Sequence, residues 1–331
     1  MNPILLPISM LFALLLAAGG NSQTTNPPPA DAPVGFLNLR TPTLGGTQFW
    51  SDVRYVGGWR IQRNANTKLY RLINENDIRF AWGNLAHCDR ELDVRIENGT
   101  VKRDTGRVVV VLHGLDRAHD SMETMADYLR QHGGYTVINV QYASSCETVD
   151  VHAADLRQVI EGLGKQVTEV NFVGHSLGNI VVRHYLGDDV RTQCDRDPRI
   201  NRMVMLAPPN HGSKMARLLK HSLLFNSIAG KSGAQLGAGW ESLEPNLATP
   251  DFEFAIIAGG QLTDNDLNNF ALRGPDDFTV SLEEARLAGA HDILVRPFLH
   301  TTIMLQPEVL ESTLRFLQSG YLVSAASRRS Q

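Results

Sequence analysis

Residues 171–182 read NFVGHSLGNIVV: an apolar run ends in a serine that has a glycine two positions away on either side. A serine hydroxyl is a weak nucleophile until a base removes its proton. The G-x-S-x-G pattern is not specific alone; at average composition a chain of this length shows one by chance about one time in ten. Context raises its weight. The run before Ser176 reads as a buried strand, and NIVVRHYLG after it as an apolar-rich helix. So sharp a strand-to-helix turn leaves no room for a Cβ at Gly174 or Gly178. It also strains the serine backbone by roughly 1–3 kcal/mol. What is gained is a Ser176 hydroxyl exposed at the amino end of a helix, where backbone donors face developing negative charge.

An activated serine needs a histidine base held by a carboxylate, both on loops at the carboxyl ends of later strands. His300 follows the last apolar run, DILVRPFL, and meets that requirement. His291 precedes the run and would lie at the opposite edge. His175 neighbours the serine, but its side chain points elsewhere on a tight turn. His113, His184 and His211 come before any candidate acid. For the acid the residues leave four choices: Asp264 and Asp266, soon after the run ending at Gly260, and Asp276 and Asp277 in GPDDFTVSLEEARL. An oxyanion hole needs backbone N–H donors, each worth about 3–4 kcal/mol. Leu177, after the serine, offers one. Leu115 offers another, where His113-Gly114 ends VVVLHG and lets the chain turn.

These groups need a rigid frame. From Gly106 onward short apolar runs alternate with helical stretches: 107–114, 135–142, 169–175, 200–209, 252–260 and 292–298. Their continuous apolar character predicts strands buried on both faces. Between them SMETMADYLRQHG gathers Met122, Met125, Ala126 and Leu129 on one face. HAADLRQVIEGLG does the same with Ala153, Leu156, Val159, Ile160 and Leu163. The alternation predicts a mostly parallel sheet with helices on both faces. One interval, 210–250, breaks the rhythm. Its Met215, Leu218, Leu219, Leu223 and Ile228 are expected to form an apolar helix face, either as a further crossover helix or as a cap over the site. Upstream, residues 50–105 open β-rich: 58–73 alternates around a polar tip like a hairpin, and 76–92 reads as an Asn-capped helix.

Bulk properties narrow the function. The net charge is −4, 20% of residues are charged, and no block of like charge occurs, which argues against a nucleic-acid partner. Residues 1–20 carry no charge and run apolar from Ile4 to Ala18, the length of a signal-peptide core and short for a membrane span. Ala18 and Gly20 suit a cleavage site before Asn21. The expectation is export, secreted or periplasmic, or membrane association if the segment stays attached. Residues 21–49 are polar and proline-rich and read as a linker. Cys88, Cys146 and Cys194 allow at most one disulfide, and no Cys/His spacing suits a metal.

The LHGL, GHSLG, LAPPNHGS and LHTTIM segments, spread over residues 107–315, resemble α/β-hydrolases of the lipase and esterase type, notably the bacterial triacylglycerol lipase-like branch. The resemblance implies an α/β-hydrolase domain over 106–322, within which 210–250 is a possible lid; it does not extend to 21–105, of which 50–105 read as a decorating region packed on the sheet. It also implies a choice of acid. Those families carry Asp-Gly-x-Val, and DDFTV matches it with Phe278 in the glycine position, so Asp277 is the acid and Asp276 the reserve. The expected activity is hydrolysis of carboxylic esters by Ser176, His300 and Asp277 through an acyl-enzyme, with no cofactor. The expected substrate is a small acyl ester or lipid, with contact to a lipid surface open. Rival readings keep the three residues but act on thioesters, amides or lipid-anchor acyl groups, or make the chain a non-catalytic binding protein.

Overall fold

The computed structural model describes residues 41–43, 47–219, 223–260 and 276–328, without the side chains of 223–228. The apolar leader, most of the proline-rich segment, and Asp264 and Asp266 lie outside the described residues.

Five antiparallel strands come first: β1 (Thr41–Pro42), β2 (Trp50–Val56), β3 (Trp59–Asn64), β4 (Tyr70–Ile73) and β5 (Ile78–Gly83), ordered β1-β5-β4-β3-β2. The hairpin expected in 58–73 is β3–β4. Segment 76–92 departs from the expected single helix. Ile78, Phe80 and Trp82 follow a period of two and form β5. Helix α1 (Leu85–Glu97) begins only after Asn84, whose side chain accepts from the N–H of His87 at 2.8 Å. Thr41–Pro42, expected within the linker, pairs with β5. Helix α1 covers one face of this sheet, burying Val53, Ile61, Leu72, Cys88 and Leu92 together.

The six apolar runs form the second sheet: β6 (Gly106–Leu112), β7 (Thr136–Val140), β8 (Val167–His175), β9 (Ile200–Leu206), β10 (Phe254–Gly259) and β11 (Asp292–Arg296). Every pairing is parallel, and the order is β7-β6-β8-β9-β10-β11. Helices α2 (Glu123–Gly133), α3 (Val149–Glu161), α4 (Leu177–Thr192) and α9 (Pro307–Ser319) flank it. Val108, Val110 and Leu112 face α3 and α4, while Val109 and Val111 face α2 and α9. Burial on both faces is why these strands read as continuous apolar runs. The chain leaves β6 toward β7 and returns to the other side at β8. This reversal opens a crevice at the strands' carboxyl ends, the usual ligand position in such sheets.

The first sheet docks on edge strand β7. The Asp52 N–H donates to Gln141 O and the Gln141 N–H to Asp52 Oδ2, both at 2.8 Å. Arg60 donates to Asn139 O at 2.9 Å, and Arg63 reaches Glu147 and, at 2.7 Å, Asp155. The interval 210–250 holds α5 (Lys214–Leu218), α6 (Leu223–Leu236) and α7 (Trp240–Leu243); α8 (Leu282–Ala285) comes later. The expected common apolar face does not form on one helix. Met215 is half-buried, whereas Leu218 and Leu219 are exposed beyond the end of α5's packing; the side chains of Leu223 and Ile228 lie outside the described residues. All three cysteines are free thiols.

Candidate active site

Strand β8 runs directly into α4, and Ser176 is the hinge, at φ 50° and ψ −118°. A Cβ on Gly174 would stand 2.4 Å from Asn179 Oδ1, and one on Gly178 2.7 Å from Leu112 O, so neither position tolerates a side chain. The turn is pinned by hydrogen bonds. The Ser176 N–H donates to Leu206 O at 2.9 Å, and Asn179 Nδ2 donates to Ser176 O (3.1 Å) and Leu206 O (3.2 Å).

His300, on the loop after β11, points its Nε2 at Ser176 Oγ at 2.9 Å and its Nδ1 at Asp277 Oδ2 at 2.8 Å. A carboxylate only accepts, so Nδ1 carries the proton and Nε2 accepts from the hydroxyl. All three side chains are buried. Asp277 Oδ1 accepts the N–H groups of Thr279 (3.0 Å) and Val280 (2.7 Å), and the His300 N–H donates to Asp277 O at 3.0 Å. Asp276 does something else: its Oδ1 accepts from Phe278 N–H at 2.7 Å. Phe278 itself has φ 76°, the left-handed region that favours glycine, and its ring is 40% exposed. That backbone geometry is one glycine adopts without strain, which fits the Asp-Gly-x-Val pattern that DDFTV resembles.

The remaining histidines divide by function of place. His175 Nε2 donates to His300 O at 2.9 Å, away from the hydroxyl, and burial holds its pKa well below the usual range. His113 donates from Nδ1 to Gly114 O at 2.8 Å and stacks on Tyr142 with ring centres 4.1 Å apart. Burial lowers its pKa to about 3, so it stays neutral. The Tyr142 hydroxyl donates to His113 O. This clamp fixes the turn that carries Gly114 and Leu115, with Gly114 packed against His175 and Ser176. His184 faces Asp188, His211 faces Glu244, and the His291 N–H donates to Phe254 O. Tyr142, Asn179 and the N–H groups of Thr279 and Val280 had no signature in the sequence, since each acts through a long-range or backbone contact.

A cavity of about 420 Å³ opens on Ser176 and His300, with Leu115, Met215, Leu236 and Val280 among its walls. Leu177 begins α4, so its N–H has no acceptor within the helix and faces the same end of the strand. Strand order, sharp turn and cavity define a class, and the family comparison agrees. A model of the palmitoyl protein thioesterase family matches residues 108–238. The six-stranded parallel sheet flanked by helices is the α/β-hydrolase fold, and residues 108–238 are similar to that family.

Among solved structures it is similar to a lipase of Bacillus licheniformis in mature form (19% identity, TM-score 0.46, 64% of this chain and 89% of that one). It is also similar to the lin2722 gene product of Listeria innocua (18%, 0.45, 65% and 95%). A third likeness is to a metagenomic carboxyl esterase (16%, 0.47, 61% and 68%). No curated protein gives a significant match.

Proposed function

We propose that the protein hydrolyses carboxylic esters with apolar acyl groups through an acyl-enzyme on Ser176. One observation carries this reading: the unbroken hydrogen-bond path from Asp277 through His300 to Ser176, ending at an apolar cavity. Ser176 Oγ attacks the carbonyl carbon while its proton passes to His300 Nε2. Asp277 holds the Nδ1 proton and stabilises the imidazolium. The N–H groups of Leu177 and Leu115 receive the oxyanion. Collapse of the tetrahedral intermediate expels the alcohol, which takes the proton from His300. Water then repeats the sequence and frees the acid, and the scheme requires no cofactor. Chromogenic esters of increasing acyl length, assayed with wild type and Ser176→Ala, test it; equal rates for the two proteins would refute it.

A second reading, hydrolysis of acyl thioesters, is favoured by the match of residues 108–238 to palmitoyl protein thioesterase. It uses the same residues, and only the leaving group changes. Comparing kcat/KM for one acyl chain presented as oxygen ester and as thioester separates the two. Residues 210–250 act as a lid in our reading, because Met215, Ala216 and Leu236 wall the cavity. Activity should then rise when substrate passes from solution to emulsion. The apolar leader exports the chain, and amino-terminal sequencing of the mature protein should begin at Asn21 if cleavage follows Gly20.

A further inference from the structure

The face of the first sheet turned away from α1 carries Asp52, Gln62 and Arg71 side by side on β2, β3 and β4. Gln62 Nε2 donates to Asp52 Oδ1 at 2.8 Å, and Arg71 Nε donates to Gln62 Oε1 at 2.9 Å. Asp52 Oδ2 is committed to Arg60 and to the Gln141 N–H. The cations of this sheet therefore differ. Arg60 pairs with Asp52, and Arg63 pairs with Glu147 and Asp155. Arg71 is only 6% exposed, yet among the described residues it forms no ion pair, and its one side-chain hydrogen bond uses Nε. Its two Nη groups have no partner among the described residues. Burial lowers its pKa to about 10, a loss that the Asp52 and Asp77 charges, neither in contact with it, offset only in part. An unpaired buried charge is among the costliest arrangements a fold can hold.

A second arginine converges on it. Arg71 lies over the Trp50 ring, 4.0 Å from its centre, and Arg79 over Trp82 at 5.5 Å. Arg79 Nε is buried without a hydrogen-bond partner, and Arg79 too forms no ion pair among the described residues. Stacking on indole orients each guanidinium while leaving its N–H fork free. The four side chains line one cavity of about 280 Å³, with Thr43 at its edge. A single carboxylate satisfies one fork, whereas a tetrahedral oxyanion presents oxygens to both at once.

We infer that the cavity between Trp50, Arg71, Arg79 and Trp82 is a binding site for a phosphate group, separate from the hydrolytic site. The phosphate comes either from a soluble phosphate ester or from a phospholipid headgroup, and the chemistry of recognition is the same.

Trp50 and Trp82 supply a local readout. Inorganic phosphate titrated into the full-length protein should change tryptophan fluorescence saturably, with Kd in the millimolar range or below. Arg71→Gln and Arg79→Gln should each weaken binding tenfold or more while ester hydrolysis stays at the wild-type rate. Arg71 is buried and its variant can fail to fold; Arg79 is partly exposed, so Arg79→Gln decides in that event. No saturable response, or one unchanged in Arg79→Gln, overturns the inference. Glycerol phosphate is then set against vesicles of phosphatidylcholine with and without phosphatidylglycerol. Arg79-dependent binding confined to the anionic vesicles assigns the lipid source, and binding of glycerol phosphate without vesicle binding assigns the soluble one.

Discussion

Two loops at the carboxyl edge of the parallel sheet each hold a non-glycine residue in left-handed backbone, Ser176 at φ 50° and Phe278 at φ 76°. They are held by opposite means. The Ser176 turn is buried and locked from outside itself, by Asn179, Leu206 and the absence of side chains at Gly174 and Gly178. The Phe278 turn is held locally, by the carboxylates of Asp276 and Asp277 on the next N–H groups and by the Ser281–Glu284 capping box behind it. Strain in the first is set by the sheet around it; the second is held largely within 276–284, with the His300 N–H bonded to Asp277 O. The first should resist relaxation, and the second should tolerate it.

The largest expected effect is at the first turn. Ser176→Ala should reduce kcat on esters by about 10³–10⁶-fold with the fold intact; retention of a tenth of the activity would remove the nucleophile from the scheme. At the second turn, Asp277→Asn should cost roughly 10²–10⁴ in kcat, by turning His300 to the wrong tautomer. Asp276→Asn, which loosens the Phe278 N–H and leaves the Asp277–His300 hydrogen bond in place, should cost less than about tenfold. The reverse ranking in steady-state assays would exchange the two roles.

The contrast also has a pH axis. Around the first turn burial keeps His113 neutral down to about 3, His152 down to about 4, and His175 well below its ordinary range. Unfolded, each binds a proton near pH 6.5. The unfolded chain thus holds more protons below that pH, and stability falls as pH drops from 6.5 toward the folded values. Asp155, raised to about 6 by burial, opposes this with one proton. Each such histidine costs up to about 1.4 kcal/mol per unit between pH 6 and 5, and raised carboxyls such as Asp155 offset part of the loss. Urea unfolding at several pH values checks it, and a flat profile would contradict the neutral histidines.

Smaller effects test the packing. Gly178→Ala should destabilise by about 1–3 kcal/mol, because Leu112 O cannot give way without moving β6. Phe278→Gly should change stability by less than about 1 kcal/mol, relief of strain being offset by the unfolded-state freedom of glycine. Its esterase activity should be unchanged. A loss above about 2 kcal/mol would show that the exposed ring packs more than its turn implies.

Much of the frame was legible beforehand, for a simple reason. Strands buried on both faces must be apolar at every position, so the runs at 107–114 or 169–175 declare themselves. Ser176 and His300 are 124 residues apart, yet chain order in a parallel sheet places both at one end, and they lie within a hydrogen bond. The acid was not legible from the residues, because Asp276 and Asp277 differ only in which N–H groups their oxygens meet; resemblance to a motif was needed to rank them. Strand β5 was obscured because its short alternation of Ile78, Phe80 and Trp82 runs straight into a helix, and only Asn84 marks the change. Leu218 and Leu219 show the limit of periodicity, since it cannot report where a short helix stops. Arg71 looked like any strand arginine, because a missing counter-ion leaves no trace in the chain.

Strand β7 is the outer edge of the parallel sheet, and open edges invite pairing with other chains. Here that edge is occupied by Asp52 and Arg60, which take up Gln141 N–H, Gln141 O and Asn139 O. The first sheet in this way takes up backbone groups that the edge would otherwise leave open. Cutting away residues 50–105 would leave every residue that touches Ser176 in place, while baring this edge and the carboxylates of Glu147 and Asp155 that Arg63 now covers.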